Sequence, residues 1–169
     1  MYRSARTLYR TGMEIRDAIS EDAESACQVL KRSISELCIA DHENRPEILE
    51  RWLSNKTPEI VASWIVQPSN SMLVATNGSA IIGVGLVTDK GEINLNYVAP
   101  EARFQGVSRA LLGALESRAI KRGNSKCTLS STVTARRFYL SGGYKEEAPA
   151  AHTFGITSYP MFKLLAQKS

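Results

Sequence analysis

At residue 71 the apolar pattern of this chain changes period, from helical spacing to strand-like runs. Ser71–Thr76, Ala80–Thr88 and Glu92–Val98 follow one another closely. Asn77-Gly78 joins the first two as a two-residue hairpin turn, and Asp89-Lys90-Gly91 turns between the second and third. Together they predict an antiparallel meander of three strands, ended by Pro100.

The meander divides two stretches of helical pattern. Before it, Met13–Ala18 reads as a first strand. Ser20 reads as an N-cap, and Ala23, Ala26, Cys27, Leu30, Ile34, Leu37 and Cys38 form an apolar stripe that predicts a helix to about Cys38. Asp41-His42-Glu43-Asn44 reads as a loop. Pro46 and Thr57-Pro58-Glu59 start two further helices, and Pro68 closes the last. After the meander, Gly106–Gly123 predicts a helix, Lys126–Ser130 a strand, and Thr134–Ser141 a short helix stopped by Gly142-Gly143. Tyr144–Glu147 and Tyr159–Leu165 are the last predicted strands. The order is βααα-βββ-α-β-α-ββ, with no internal repeat.

With 169 residues the chain predicts a single domain over 13–169. Residues 1–12 are basic and aperiodic, which predicts a loose tail ahead of Met13, itself a candidate natural start. Hydrophobic residues at 43% and charged residues at 22% exclude disordered, collagen-like and coiled-coil chains. No apolar run reaches the ~18 residues of a membrane span. The net charge of +4 invites a nucleic-acid reading. Its distribution argues otherwise: residues 13–89 carry 6 basic and 12 acidic groups, residues 90–145 carry 10 basic and 3 acidic. The basic half therefore faces an anion, yet it lacks the interleaved aromatics of an RNA platform. No nucleic-acid partner is expected. The cysteines, Cys27, Cys38 and Cys127, have neither disulfide-framework nor zinc spacing, which predicts a reduced, cytoplasmic setting and no metal.

The chemistry is concentrated where the meander ends. Asn94 to Leu112 reads as a strand, a glycine-containing loop and a helix start. Free amides at a helix N-terminus attract anions, and Gly106 admits a phosphate close to backbone. An ordinary strand–turn–helix joint has the same pattern. There is no Gly-x-x-x-x-Gly-Lys-Ser/Thr loop, and Gly83-Val84-Gly85 lies inside a strand without the third glycine of a dinucleotide fingerprint.

At this joint Arg103-Phe-Gln-Gly106-Val-Ser108 resembles the Gln/Arg-x-x-Gly-x-Gly/Ala signature of the GCN5-related N-acetyltransferases (GNAT family), with Ser108 in place of the final small residue. A second stretch, Thr132-Val-Thr-Ala135-Arg-Arg-Phe138-Tyr139-Leu-Ser-Gly142-Gly143-Tyr144, is similar to the family's Asn-x-x-Ala-x-x-Phe-Tyr-x-x-x-Gly-Phe/Tyr pattern, with Thr132 where many members have Asn. Strand and helix order match from Met13 to about Leu165.

The resemblance implies an α/β (α+β) fold. Its mixed, mostly antiparallel central sheet is flanked by helices and splayed between the fourth strand, Glu92–Val98, and the fifth, Lys126–Ser130. It implies acetyl-CoA in the gap. The pantetheine arm would pair with backbone near Tyr97 and Val98, and the pyrophosphate would sit on amides of Phe104, Gln105, Gly106, Val107, Ser108 and Arg109. Ala135 and Phe138 come with the second pattern. Arg103, Arg109, Arg136 and Arg137 are candidate cationic partners, whereas Arg118, Lys121 and Arg122 read as a solvated helix face. The implied reaction is direct attack of an amine on the thioester. Tyr139 matches the tyrosine that protonates the departing thiolate. Glu92 matches the glutamate base of histone-type members; a water route and a plain turn residue are the alternatives. His42 is a candidate acceptor contact on its loop. Ser130 and Ser131 either bond the acceptor or cap the following helix. The expected acceptor is an amine of a small molecule or peptide, with the acidic first half favouring a cationic one. A homodimer through the final strands is a family expectation, and a non-catalytic acyl-CoA-binding module is the alternative function.

Overall fold

The structure is a computed structural model that describes residues 7, 8 and 12–166. Two sheets form. The larger runs β1 (Thr7–Leu8), β2 (Met13–Asp17), β3 (Asn70–Asn77), β4 (Ala80–Thr88) and β5 (Ile93–Val98), each antiparallel to its neighbour. The smaller has β9 (Ile156–Leu164) between β6 (Lys126–Ser131) and β7 (Lys145–Glu146), with β8 (Ala151–Thr153) also pairing β9.

The meander forms as predicted, and its turns fix its register. Asn77 pairs with Ala80, so the hairpin turns on Gly78-Ser79, one place beyond the expected Asn77-Gly78. The turn at Gly91 does more. Its carbonyl accepts from the Thr128 amide at 3.0 Å, and Glu92 bridges Thr128 in parallel. This is the point where β5 meets β6. Beyond it the two strands part, so the sheet splays where the sequence predicts. Gly91 has φ +79, and a Cβ there would strike the Lys126 carbonyl. Only glycine allows both the left-handed turn and the close approach.

Among the described residues, α-helices cover the sheets: α1 (Ala23–Leu37), α2 (Ile39–His42), α3 (Pro46–Leu53), α4 (Pro58–Val66), α5 (Val107–Lys121) and α6 (Arg136–Ser141). α5 lies against one face of β4. A Cβ on Gly83 would stand 2.8 Å from Leu111 Cδ1, and one on Gly85 would stand 2.9 Å from Leu115 Cδ1. The Gly83-Val84-Gly85 run is therefore a seat for α5. Val84 and Leu86 point the other way, where α1 packs. Leu30, Val84, Leu111 and Leu115 are fully buried in the core.

Several elements differ from expectation. Thr7–Leu8 of the expected tail pairs with Glu14 and Ile15; the rest of residues 1–11 lies outside the described residues. Ser20 makes no capping bond, and the Asp22 carboxylate instead accepts from the Ile19 amide at 2.8 Å. The expected loop at Asp41–Asn44 begins as the one-turn α2, which Glu43 and Asn44 end with φ values of 53 and 55. The β8–β9 hairpin escaped prediction because its turn is Phe154-Gly155, with φ of 52 and 80, and carries no common turn pair.

Candidate active site

Where β5 and β6 part, a cleft of about 490 Å³ opens. One wall comes from the joint between β5 and α5. Gly106 starts the helix with φ 81, and Ala110 is the first residue whose amide bonds within it, to the Gly106 carbonyl at 3.0 Å. The amides of Val107, Ser108 and Arg109 thus point out of the helix end. A Cβ on Gly106 would meet nothing, so the space above it is open. Phe104, held at φ 64, stands 90% exposed at the rim. Arg103 lies over the Phe104 ring at 4.5 Å, and Arg109 lies over Phe138 at 5.3 Å while donating to Ser141 Oγ at 3.0 Å.

The opposite wall is the β6–α6 turn and α6. Thr132, Thr134, Ala135, Phe138 and Tyr139 line it. Thr132 Oγ1 accepts from the Ala135 amide at 3.1 Å, so the residue in the usual Asn position starts this turn of helix. The rest of the turn is held from across the molecule. Asp41, only 5% exposed, accepts from the Val133 amide at 2.7 Å, the Thr134 amide at 3.3 Å and Thr134 Oγ1.

Tyr139 sits edge-on between Phe138 and Tyr144, with centroids 5.1 and 5.6 Å away. Burial pushes its phenol up to about 12, against a hydrogen bond from Asn96 that works the other way. At neutral pH it is a proton donor. Asn96 is a site residue that the sequence reading missed. Its Nδ2 donates to the Ser108 carbonyl at 3.4 Å, and its buried Oδ1 has no partner. The available signal was the polar alternation of Asn94 and Asn96 in a strand that lines the cleft. Tyr97 faces away from α5, where burial raises its phenol.

The cleft gathers Tyr97, Val98, Arg103, Phe104, Gly106, Val107, Ser108, Arg109, Ser130, Ala135, Phe138 and Tyr139. Other expected residues lie elsewhere. Gln105 is exposed outside the lining and donates to the Glu101 carbonyl. Glu92 sits at the closed end of the splay, exposed, with its side chain outside the cleft lining. His42 is not an exposed loop residue: it is fully buried, its Nε2 lies 3.0 Å from the Ile34 carbonyl, and its Nδ1 accepts from the Asn44 amide. Both ring nitrogens are engaged, so it faces no acceptor. Ser131 is buried and donates to the Thr132 carbonyl at 2.8 Å. Arg136 pairs with Glu146 and lies over Tyr159, and Arg137 stands outside the lining. Arg118 and Arg122 do stay on a solvated face, bonded to Asp17 and the Pro68 carbonyl.

The sequence profile described as the acetyltransferase (GNAT) domain matches residues 32–165. The fold is similar to a GCN5-related N-acetyltransferase from Rhodopseudomonas palustris, at TM-score 0.79 and 24% identity over 89% of this chain and 94% of that one. It is similar also to the PaiA N-acetyltransferase from Thermoplasma acidophilum in complex with coenzyme A, at TM-score 0.78 and 24% identity over 90% and 98%. A third likeness is the ribosomal-protein-S18-alanine N-acetyltransferase from Escherichia coli, at TM-score 0.64 and 19% identity over 93% and 96%. No curated protein matches the chain. The domain match spans most of the sequence, and the chain belongs to the GNAT acetyltransferase family. It is an acyltransferase, of a family whose acyl donor is acetyl-CoA. No helix among the described residues is long and apolar enough to cross a membrane.

Proposed function

We propose that this protein transfers the acetyl group of acetyl-CoA to a primary amine by direct attack, with Tyr139 as the acid. The observation that carries the reading is one cleft with an anion-seeking helix end at its mouth and a protonated phenol in its wall. The residues fit the donor. The free amides of Val107, Ser108 and Arg109 take the pyrophosphate, supported by Arg103 and Arg109. Phe104 at the rim offers a ring face to the base. The edge of β5 past Glu92 is unpaired by β6 and accepts the pantetheine amides near Tyr97 and Val98. The unpartnered Oδ1 of Asn96 offers a further acceptor to an amide N–H.

In the reaction the amine nitrogen bonds to the acetyl carbonyl carbon and the carbon–sulfur bond breaks. Tyr139 gives its proton to the departing thiolate and regains one from solvent water, which restores the phenol. The ammonium proton leaves through water to solvent, because no carboxylate among the described residues lines the cleft. The three buried free cysteines favour a reducing compartment for this chemistry.

The test is thiol release from acetyl-CoA with a panel of amines, comparing Tyr139→Phe. Removal of the acid is expected to lower kcat by about 10²–10⁴-fold with acetyl-CoA affinity retained. A full-rate Tyr139→Phe enzyme removes Tyr139 from the role. Failure of acetyl-CoA to bind ends the reading altogether.

A further inference from the structure

The register of the meander divides the cleft into a donor half and an acceptor half. Gly85 faces α5 and pairs with Asn96, so Asn96 and Val98 point to the α5 side. Leu95 and Tyr97 point to the opposite side, where Ser33, Leu37 and Cys38 complete the wall and Ser130 stands on the β6 flank. The charged side chains of the lining are Arg103 and Arg109, both at the α5 end.

The side chains that line the acceptor half carry no formal charge. Burial keeps the Tyr97 phenol protonated and pushes the Cys38 thiol up to about 12. Of the acidic first half, Asp41 lies near enough for its charge to act on Cys38 and Tyr97, but its oxygens are committed to Val133 and Thr134. Asp22 pairs with Arg16, Asp17 with Arg118, Glu36 with Arg32 and Glu47 with Arg45. Glu21, Glu24, Glu43, Glu50 and Glu59 are exposed outside the lining. The sequence expectation of a cationic acceptor therefore loses its basis, since the charge that supported it is engaged or turned outward.

We propose that the acceptor is a primary amine on an uncharged, largely apolar body, selected by Leu37, Cys38, Leu95 and Tyr97. The inference rests on the acetyltransferase reading. A second ammonium on the acceptor would leave water for a wall whose lining offers no carboxylate to pair with it, which is costly. The same wall disfavours the protonated form of the reacting nitrogen. It thereby eases the proton loss that attack requires, in a cleft without a lining carboxylate.

The experiment compares kcat/KM for thiol release with hexylamine and with cadaverine, which has the same length with an ammonium in place of the terminal methyl. Hexylamine is expected to exceed cadaverine by about tenfold or more. Leu37→Glu, at a half-buried site that tolerates a polar head, is expected to narrow or reverse that ratio. A leucyl peptide with a blocked C-terminus tells a peptide source of the apolar body from a free alkyl amine; turnover of either supports the class. Cadaverine equal or preferred in the unmodified protein overturns the inference, as does a ratio unmoved in Leu37→Glu. The thermal shift with acetyl-CoA separates the two levels. Loss of that shift counts against the donor reading. A normal shift with no turnover of hexylamine or the peptide counts against an apolar amine alone.

Discussion

Tyr139 and Gly91 work at opposite ends of the same splay. With its phenol raised to about 12, Tyr139 keeps its proton across the ordinary range, so the acid form persists until pH approaches that value. The rate is therefore expected to climb with pH as the acceptor ammonium deprotonates, and to show no fall from Tyr139 below about pH 11. A kcat/KM profile checks this; a descending limb near neutrality that vanishes in Tyr139→Phe contradicts it. Gly91 carries the join of the two sheets at φ +79 against the Lys126 carbonyl. Gly91→Ala is expected to cost about 2–4 kcal/mol, from the strained φ and the backbone collision together. Thermal or denaturant melting measures it.

At the scale of elements, α2 and α6 are coupled through one carboxylate. Asp41 ends the acceptor-side helices yet holds the turn before α6, where Phe138 and Tyr139 lie. Asp41→Asn replaces one accepting oxygen by a donor that faces other donors. The expected loss is about 1–3 kcal/mol. Amide exchange over 132–141 should quicken more than that of α5, and kcat should fall more than acetyl-CoA affinity. The element pattern itself was readable where it is local. The Pro46 and Pro58 helix starts and the α5 stripe depend on near neighbours and appear where expected, and the first hairpin forms one place on, at Gly78-Ser79. Asp41 misled because its partner lies 92 positions on, and His42 misled because α2 turns its ring inward onto the Ile34 carbonyl and the Asn44 amide. No window of sequence contains the first contact.

Across the whole molecule, ion pairs tie distant segments, as Arg118 to Asp17 and Arg32 to Glu101, and also close short loops, as Arg16 to Asp22. Arg16 of β2 holds Asp22 at 2.7 and 2.9 Å, and that bond keeps the Asp22 carboxyl below its usual range, with the Ile19 amide helping. A depressed carboxylate adds stability above the ordinary carboxylate pKa and loses it as pH falls through the folded value. Acid unfolding should therefore begin earlier in the protein than in Asp22→Asn when each is scaled to its own neutral stability. The substitution should cost about 1–3 kcal/mol at neutral pH, read from melts across pH 2–7.

The sequence by itself determined the family, the meander and the glycine-led helix start, because each is written in a short run of residues: Arg103 to Ser108, Thr132 to Tyr144, and the turn residues. What only the tertiary structure decided was which of those residues face one another. Asn96 joined the cleft through the pleat of β5, Glu92 was left at its closed end, and no carboxylate of the acidic first half entered the cleft lining. The physical reason is that local spacing fixes the face a side chain takes within its element, while packing against distant elements fixes what that face meets.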